Sequence, residues 1–577
     1  SNYCHNPSCV EINQTSHTMG IKAPTTIVLV MTSLLRVEAS VVTEDLLVNT
    51  TTGTLQGEVR TLNGTTIYNW LGVPYAEPPT GGNRFKRPKS KTPWYGIRNA
   101  TEQPNICYQS LSSTYSVLKG AGSMWNMSGN MSEDCLYLNI LKPSSGEEKY
   151  STIVWIHGGT FQRGSASASL YDPAHLVTEG DVIVVSVQYR VGPLGFLGLN
   201  NSHIPGNMGL LDQAEALKWV KTNIDAFGGD KDDITLMGQS SGAASVGLHM
   251  ISNMTRDSFT KVILQSGGPF SYWSYIGPSE LMVRSMMVVN TANCTRSNPE
   301  EVYKCLMSIS PEVLTAADKS PLNLAPTIDK HFLHKSPLDA VMENDFIPIP
   351  VLGGIGRSEG MPAILTVGKR LGMNFSNISS ENYETLVGVV ALYLDVPPAS
   401  VNTLASFYAG KCRHMGSDMY REAAIQLFGD IAISCPAIDF MRNVTGNSSR
   451  LFFYHFNHRS PLDIDPSYTG VIHGAEVPFV FGRPFKTPEN YTDEDRTISD
   501  FVIGRWTSFA RNGYPTGIWK QRERGDELFL KIRGKSDNIA MLERDPFCSE
   551  IRKYADYNNI TLSAKRLLTA MRRIRGI

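Results

Sequence analysis

The sequence predicts an α/β protein with a large, mostly parallel central sheet that has helices on both faces. Short runs rich in β-branched residues alternate with longer helical patterns between residues 150 and 454. The short runs are continuously apolar, which is typical of central strands that are buried on both faces. Strands that alternate with helices favour parallel pairing, because each helix returns the chain to the start of the next strand.

Six runs are predicted as strands and three as helices. The predicted strands cover residues 152–156, 182–189, 234–237, 261–265, 347–352 and 451–456. The predicted helices cover residues 209–227, 242–251 and 497–511. Because no linker, charge run, low-complexity tract or repeat divides the 577 residues, we expect one large domain over residues 40–577.

The N-terminal region carries a predicted secretion signal. Met19 is followed by a lysine, by an apolar run over residues 27–35 and by a small-residue cleavage site that ends at Ala39. This order is typical of a signal peptide over residues 19–39, and residues 1–18 are then a leader or a fragment of an extension. The apolar run is shorter than the roughly 20 residues of a membrane span, so we expect no span in the mature chain, with a signal anchor as the alternative.

The rest of the chain has the residue pattern of a secreted glycoprotein. Fourteen Asn-x-Ser/Thr sequons follow residue 40, a density that agrees with the predicted signal peptide. Seven cysteines follow residue 40 as well, none with the C-x-x-C spacing of a zinc site. Disulfides in an oxidising compartment are therefore the better interpretation, with one thiol left free. We expect a secreted, extracellular protein without a metal site.

Composition narrows the class of partner. Hydrophobic residues make up 41% of the chain, enough for a substantial core, and the formal net charge is -1. A near-neutral chain gives no electrostatic reason to expect nucleic acid or an anionic membrane as partner. We therefore expect a small-molecule partner and no cofactor, and a homodimer stays open.

The strongest chemical signal is the sequence Gly238-Gln239-Ser240-Ser241-Gly242. It directly follows the predicted strand at 234–237 and directly precedes a predicted helix of small residues. A nucleophile elbow needs this context, because its Ser sits on a strained strand-to-helix turn whose flanking glycines let strand and helix approach closely. A bare G-x-S-x-G pattern recurs by chance, but between a strand and a helix it predicts Ser240 as a nucleophile.

Two further residues complete a predicted triad with Ser240. A Ser hydroxyl is a poor nucleophile at neutral pH, so we expect a base and an orienting acid in the chain order Ser, acid, His. Glu359 lies just beyond the predicted strand at 347–352, and His473 has a Gly-flanked, apolar setting late in the chain. Any one of the twelve histidines is by itself more often structural, but the order predicts Glu359 as the acid and His473 as the base.

A glycine-rich turn is predicted to supply donors for an oxyanion. His157-Gly158-Gly159-Thr160-Phe161 follows the predicted strand at 152–156. The backbone N–H groups of Gly159 and Thr160, with that of Ser241 beside the nucleophile, can face the oxygen on which charge develops in acyl transfer. Each such donor is worth about 3 kcal/mol. A plain glycine-rich turn is the alternative, and the neighbouring elbow makes it the weaker one.

Together these residues resemble the type-B carboxylesterase and cholinesterase family, over about residues 45–555. The matching segments include EDCLYLN at 133–139, NMGLLDQ at 207–213 and GVIHG at 470–474, besides the glycine-rich turn and the elbow. The resemblance implies an α/β-hydrolase fold and hydrolysis of carboxylic esters. It also implies the triad on Ser240, Glu359 and His473, and the oxyanion hole on Gly159, Thr160 and Ser241.

The resemblance further implies how the cysteines pair, which their spacing alone does not determine. The family's disulfides correspond to Cys107–Cys135, Cys294–Cys305 and Cys435–Cys548. Cys412 is then the unpaired thiol.

Three aromatic residues resemble substrate contacts of the cholinesterases. Trp125 lies in the loop after Cys107 and corresponds to a Trp that stacks on the substrate's quaternary ammonium, a contact worth about 0.5–2 kcal/mol. Tyr171 and Trp273 resemble gorge residues of the same subfamily. A buried Trp that merely fills the loop is the alternative for Trp125.

Several positions depart from the cholinesterase pattern. Gln239 replaces the usual Glu beside the nucleophile, which removes a negative charge near the ammonium site. Thr160 replaces the last glycine of the oxyanion hole, so that a side chain crowds the acyl end while the N–H survives. Leu322 and Leu324 replace Phe in the acyl pocket. These changes predict a roomier and less cation-selective site.

Three functions are compatible with the sequence. The first is a secreted esterase of cholinesterase or general carboxylesterase type, which the complete triad favours. The second is a catalytically silent adhesion protein of the neuroligin kind, which the intact triad disfavours. The third is a secreted scavenger that sequesters choline esters or toxins and turns over slowly, which Gln239 and Thr160 keep open. The fold alone does not choose among them, because function depends on the site.

Overall fold

A large mixed sheet with helices on both faces organises the described part of the chain. The computed structural model describes residues 46–62, 64–110, 129–146, 149–318, 323–394, 398–445, 450–517, 519, 521, 529–534, 541–542 and 548–554. These residues belong to one compact unit, Glu44–Ile577. The predicted leader and signal peptide, Trp125 and Leu322 lie outside the described residues, so their assignments stay predictions.

Strands and helices alternate along most of the chain after residue 150. The strands are β1 Leu47–Thr50, β2 Gly53–Gln56, β3 Glu58–Leu62, β4 Thr65–Pro74, β5 Ile97–Asn99, β6 Ile106–Cys107, β7 Met131–Ser132, β8 Tyr137–Pro143, β9 Tyr150–Ile156, β10 Ile183–Val187, β11 Gly229–Gln239, β12 Lys261–Gln265, β13 Val351–Gly356, β14 Leu451–Phe456, β15 Phe529–Ile532 and β16 Met541–Leu542. The helices are α1 Ala174–Gly180, α2 Gly192–Phe196, α3 Met208–Asn223, α4 Ser241–Ile251, α5 Pro278–Thr291, α6 Pro299–Ser308, α7 Pro311–Ala317, α8 Pro337–Met342, α9 Met361–Arg370, α10 Ser380–Leu394, α11 Pro398–Lys411, α12 Met419–Gly429, α13 Cys435–Val444, α14 Val477–Val480, α15 Arg483–Lys486, α16 Asp493–Asn512 and α17 Cys548–Tyr554.

Eleven of the described strands form the main sheet, in the order β16-β15-β14-β13-β12-β11-β9-β10-β8-β4-β3. The seven neighbouring strands from β15 to β10 pair in parallel. The strands at the two flanks pair antiparallel. The predicted α/β class with a mostly parallel sheet is therefore confirmed, and the antiparallel strands at its two flanks are an addition to it.

Two hydrophobic cores lie on opposite faces of this sheet. Successive residues of a strand point to opposite faces, and Ile153 and Trp155 of β9 belong to one core whereas Val154 and Ile156 belong to the other. Residues of α3 and α4 lie in the core of Val154, and residues of α1 and α16 lie in the core of Trp155. Because the central strands are covered on both sides, their sequences are continuously apolar.

The predicted elements are present, but one strand is misplaced. The predictions at 152–156, 182–189, 234–237, 261–265, 451–456, 209–227, 242–251 and 497–511 overlap β9, β10, β11, β12, β14, α3, α4 and α16. The predicted strand at 347–352 is wrong for its first four residues, because β13 begins only at Val351. Pro348 and Pro350 explain the shift, since a proline has no N–H to donate to a neighbouring strand.

The three disulfides implied by the family resemblance are present. They join Cys107 to Cys135, Cys294 to Cys305 and Cys435 to Cys548, with Cα–Cα distances of 5.1, 5.5 and 5.3 Å. Cys412 is the free cysteine among the described residues, and it is buried. The pairing and the leftover thiol are therefore confirmed.

One helical run among the described residues, Arg413–Val444, is long and apolar enough to cross a membrane by length and composition. The most apolar window of this run is 89% buried inside the protein. A buried core helix meets the same criteria, so the run is weak evidence for a span.

The segment at 207–213 ties the scaffold together around a buried ion pair. Asp212 of α3 accepts hydrogen bonds from Nε and Nη2 of Arg190, both at 2.7 Å, and from the Arg190 N–H at 3.1 Å. The side chains are 4% and 0% exposed for Arg190 and Asp212. Gly192, two residues after Arg190, donates its N–H to the carbonyl of Phe161 at 2.7 Å. Asp212 fixes Arg190, and the nearby Gly192 bonds to Phe161, so the segment at 207–213 indirectly supports the glycine-rich turn after β9.

We expect Asp212→Ala to lower the free energy of unfolding by about 3–5 kcal/mol, because the substitution leaves the buried Arg190 charge without a partner. Urea unfolding followed by intrinsic fluorescence measures the change. Asp232→Ala is the matched control, since it breaks an exposed ion pair with Lys221 and should leave the unfolding curve nearly unchanged. Equal curves for the two variants would contradict the role given to the buried pair.

Candidate active site

Ser240 lies in the sharp turn that joins β11 to α4. Its φ of 58° and ψ of -122° are unusual for a residue with a side chain. Its N–H donates to the carbonyl of Gln265 in β12 at 2.8 Å, and its carbonyl accepts from the N–H of Ala244 at 2.9 Å. The side chain is 6% exposed. The predicted context of a strand before and a helix after Ser240 is thus present, and the turn holds the residue at the carboxyl edge of the sheet.

Two glycines allow the backbone to pack this closely around Ser240. A Cβ at Gly242 would overlap the carbonyl oxygen of Ile156 at the end of β9. A Cβ at Gly158 would lie 2.7 Å from Oε1 of Gln239 and 3.0 Å from Cβ of Ser240. The absence of these two side chains therefore brings the turn after β9 against the elbow.

Glu359 and His473 meet through the loops that follow β13 and β14. The Ser358 N–H donates to the Val471 carbonyl at 3.0 Å, which places the two loops side by side. Oε2 of Glu359 lies 2.5 Å from Nδ1 of His473. Oε1 of Glu359 accepts from the Gly356 N–H at 2.5 Å, so that both oxygens have a donor. The side chains are buried, with residue exposures of 3% for Glu359 and 9% for His473.

The contact between Glu359 and His473 shifts both pKa values toward the charged pair. Burial by itself would raise the pKa of Glu359, but the charge and hydrogen bond of His473 lower it below its ordinary value. Burial would likewise lower the pKa of His473, but the charge and hydrogen bond of Glu359 raise it. The carboxylate holds the imidazole at Nδ1 and makes it more basic. Such a ring is suited to take a proton at Nε2.

Nε2 of His473 lies against Gln239 of the elbow. The distance from this atom to Nε2 of Gln239 is 3.2 Å. Gln239 is the last residue of β11 and is 1% exposed. The predicted substrate-facing residue thus contacts the predicted base directly. Sequence alone placed Gln239 beside the nucleophile and did not indicate this contact.

The glycine-rich turn after β9 is held by hydrogen bonds on both sides. The Tyr189 hydroxyl donates to the His157 carbonyl at 2.7 Å, and the Phe161 N–H donates to Oγ of Ser241 at 3.3 Å. Thr160 has a φ of 57°, which is uncommon for a β-branched residue. Its side chain is exposed, and its hydroxyl donates back to the Gly159 carbonyl at 2.7 Å. The turn lies next to Ser240, while the oxyanion-binding role of Gly159, Thr160 and Ser241 stays a prediction.

Two of the predicted substrate residues lie beside this turn. The ring of Trp273 is 6.5 Å from the ring of Phe161, and its indole N–H donates to the Ala432 carbonyl at 2.8 Å. Leu324 is buried, and its carbonyl accepts from the side-chain amide of Gln162 at 2.9 Å. The partly exposed Trp273 is compatible with the predicted contact to substrate, whereas Leu324 is 1% exposed and its contact with substrate stays a prediction.

Tyr171 lies elsewhere, in the core that includes Trp155. It is 1% exposed, and its ring centroid is 5.2 Å from that of Trp155 and 5.7 Å from that of Phe481. This packing gives Tyr171 a structural role. A substrate contact by Tyr171 stays a prediction that its burial does not favour.

Glu476 is a buried neighbour of the base that sequence reasoning missed. It is 0% exposed, and Nε2 of Gln265 donates to its Oε1 at 3.2 Å. Burial and the negative charge of Glu359 raise the pKa of Glu476 to about 7. The available signal was its place three residues after His473 in an otherwise apolar segment.

The site offers a hydroxyl, a carboxylate-supported imidazole and a tight turn of backbone N–H groups within one buried region. This combination supports proton transfer and nucleophilic attack. In the part of the chain that the structure covers, no group of three or more His, Cys, Asp or Glu side chains is arranged to hold a metal ion.

The chain is similar to known proteins over most of its length. The sequence model described as Carboxylesterase family matches residues 44–549. The chain is 34% identical over 521 residues to Cholinesterase of Mus musculus, which covers 88% of this chain and 86% of the relative. It is 36% identical over 489 residues to Acetylcholinesterase of Bungarus fasciatus, which covers 82% of this chain and 79% of the relative. The family resemblance found in the motifs is therefore confirmed.

We expect Glu359→Gln to lower the pKa of His473, because the carboxylate that raises it is lost while the burial that lowers it remains. Titration of the His473 ring by NMR measures this pKa, with the signal assigned in a His473→Gln variant. Glu343→Gln is the control, since Glu343 is exposed and pairs with Lys335. An unchanged His473 pKa in Glu359→Gln would contradict the assigned interaction.

The same substitution has a signed effect on stability. The raised pKa of His473 stabilises the fold below the ordinary value of 6.5, and this contribution is lost as the pH rises through the folded pKa. The lowered pKa of Glu359 stabilises it above the ordinary value of 4.5, and this is lost as the pH falls through the folded pKa. The free energy of unfolding of the wild type should therefore exceed that of Glu359→Gln by the largest amount between pH 4.5 and 6.5, where both contributions are present.

Proposed function

The chain belongs to the carboxylesterase family, and from that premise we propose that it is a secreted serine hydrolase that cleaves carboxylic esters through an acyl-enzyme on Ser240. The observation that carries the proposal is the buried hydrogen bond between Glu359 and His473 beside the strained turn at Ser240. An adhesion protein needs no such charged pair, and burying one is costly unless its charges are compensated.

In the proposed reaction Ser240 is the nucleophile and His473 the base. Oγ of Ser240 forms a bond to the ester carbonyl carbon, its proton passes to Nε2 of His473, and the π electrons of the carbonyl move to its oxygen. The tetrahedral intermediate collapses, and the leaving alkoxide takes the proton from His473 as alcohol. Water then repeats the sequence on the acyl-enzyme and releases the acid. The N–H groups of Gly159, Thr160 and Ser241 are the proposed donors to the oxyanion.

Glu359 supports this cycle through Nδ1 of His473. Its hydrogen bond selects the tautomer whose Nε2 can accept the serine proton, and its charge stabilises the imidazolium that results. Because Glu359 also accepts the Gly356 N–H, its orientation is fixed before substrate binds.

We propose that the substrates include choline esters, with a modest preference for them over uncharged esters of the same shape. The similarity to a cholinesterase and to an acetylcholinesterase supports a choline leaving group. Trp125 is the proposed platform for the ammonium, and Trp273 lies near the turn after β9. The neutral Gln239 gives less attraction for a cation than a carboxylate would. Leu322 and Leu324 leave more room for the acyl group than the aromatic rings they replace.

The proposed location is extracellular. Three disulfides among the described residues suit an oxidising compartment, and the predicted signal peptide and sequons agree with it. A homodimer stays a prediction.

A slow, ligand-sequestering esterase is the second candidate, and one observation favours it. Nε2 of His473, the atom that must take the serine proton, lies 3.2 Å from the amide of Gln239. An acyl-enzyme that forms and then hydrolyses slowly would hold its ligand stoichiometrically. Burst kinetics separate the two candidates, because only slow deacylation gives a burst equal to the enzyme concentration.

We expect an organophosphate to label Ser240 covalently, because only an activated hydroxyl attacks phosphorus readily. Mass spectrometry of the labelled peptide identifies the residue, and hydrolysis of a neutral ester is followed in parallel. Ser240→Ala should abolish both signals. Ser245→Ala is the matched control on the same helix, since its hydroxyl only donates back to the Ser241 carbonyl at 3.0 Å. Label on another residue in the wild type would exclude the mechanism.

We expect choline esters to be favoured less than tenfold in kcat/KM over uncharged isosteres. A cation on the Trp125 ring is worth about 0.5–2 kcal/mol, and we expect the lower part of this range because no carboxylate at position 239 adds its about 1 kcal/mol at 4 Å. Each factor of ten corresponds to about 1.4 kcal/mol. Gln239→Glu should raise the ratio and Trp125→Ala should lower it. A ratio far above tenfold that Gln239→Glu does not change would show that other groups hold the ammonium.

A further inference from the structure

The amide of Gln239 contacts the one atom of His473 that catalysis requires. Glu359 holds Nδ1 of His473, so the neutral ring carries its proton there and has a single acceptor lone pair, on Nε2. With this tautomer, the amide nitrogen of Gln239 donates to Nε2 at 3.2 Å. A second donor, the Ser240 hydroxyl, needs the same lone pair to be activated. The two donors therefore compete.

The position of the Gln239 amide is determined by its surroundings. Gln239 ends β11 and pairs in register with Gln265 of β12. Its side chain is buried, and its Oε1 occupies the space that a side chain at Gly158 would fill, at 2.7 Å from an added Cβ. The Cβ of Ser240, the next residue, lies 3.0 Å from the same added Cβ at Gly158. The Gln239 amide is therefore confined between the elbow and the turn after β9.

The contact also distinguishes the two protonation states of His473. When Nε2 carries a proton it becomes a donor, and it can no longer accept from the amide NH₂ group of Gln239. Among the residues that the structure describes, Glu359 and Glu476 are titratable groups whose charges act on His473, and both favour the protonated ring. Gln239 in this orientation favours the neutral ring and so acts in the opposite direction.

We propose that Gln239 is a positioning residue that holds neutral His473 in a resting state, and that Ser240 becomes activated only when the Gln239 amide leaves Nε2 of His473. The inference rests on the proposed function of the same site. The Gln at this position, where the resembling family usually has Glu, would then control when His473 can act as a base, in addition to its proposed effect on cation selectivity.

The test compares the wild type with Gln239→Met, which keeps the length and burial of the side chain but cannot donate to Nε2. The probe is diisopropyl fluorophosphate, an uncharged reagent that makes no use of an ammonium site. We expect its second-order rate constant for labelling Ser240 to rise about 2- to 10-fold, the range that corresponds to one ordinary hydrogen bond. We also expect the pKa of His473, measured by NMR titration of its ring, to rise.

The control Gln109→Met removes another buried amide, which bonds to backbone groups of Cys107 and Gly164. It should leave the labelling rate and the His473 pKa unchanged, even if the protein melts at a lower temperature. Gln239→Asn, whose shorter amide cannot reach Nε2, should behave like Gln239→Met. Circular dichroism confirms that each variant is folded.

The outcomes separate the inference from the function on which it rests. An unlabelled Ser240 in the wild type would overturn the proposed function, and the pKa of His473 still tests the contact in that case. A labelled wild type with an unchanged rate and pKa in Gln239→Met would overturn only the inference. A lower pKa in Gln239→Met would overturn it as well, because the amide would then have turned its oxygen toward the imidazolium.

Discussion

The close approach of the first turn of α4 to the ends of the paired strands β9 and β11 is the constraint on which the candidate site depends. A side chain on Gly242 would overlap the Ile156 carbonyl at the end of β9, and the elbow holds Ser240 at a φ of 58°. The strain is compensated by backbone hydrogen bonds, including the one from the Ser240 N–H to Gln265 in β12. Because these contacts join neighbouring parallel strands, Ser240 is positioned by the sheet itself and not by a flexible loop.

The sheet also brings two buried carboxylates next to one imidazole. Glu359 and Glu476 are both almost fully buried, and two negative charges so close together would oppose each other. The conflict is reduced because the two groups have different pKa values. That of Glu359 is lowered by His473 despite burial, whereas that of Glu476 is raised to about 7 by burial and by Glu359. Glu359 is therefore charged over a wider pH range than Glu476.

The sequence predicted the parts of this arrangement that follow from local pattern or from family motifs. The strand-turn-helix context of Ser240, the parallel core of the sheet and the three disulfides are examples. It misplaced both ends of β13. The strand starts late because of Pro348 and Pro350, and its second half was missed because glycines have low strand propensity, although a side chain at Gly354 would overlap the Tyr454 carbonyl. It did not indicate that Tyr171 packs in the core of Trp155, and for Glu476 it offered only a place three residues after His473, which was overlooked. Those facts depend on which face of the sheet a residue meets, and no short pattern records that.

Position 239 shows most clearly what the structure adds to the sequence. In the motif, Gln for Glu reads as the loss of a negative charge that would attract a cationic substrate. In the structure the side chain is buried and lies 3.2 Å from Nε2 of His473, so a charge at this position would act on His473 as well. A carboxylate there would be the third acidic group around one imidazole, after Glu359 and Glu476, and would favour the protonated ring. A neutral amide avoids that charge but places a donor on the lone pair that the serine needs. In the proposed function the substitution therefore bears on substrate attraction and on base activation together, and a change in one would be accompanied by a change in the other.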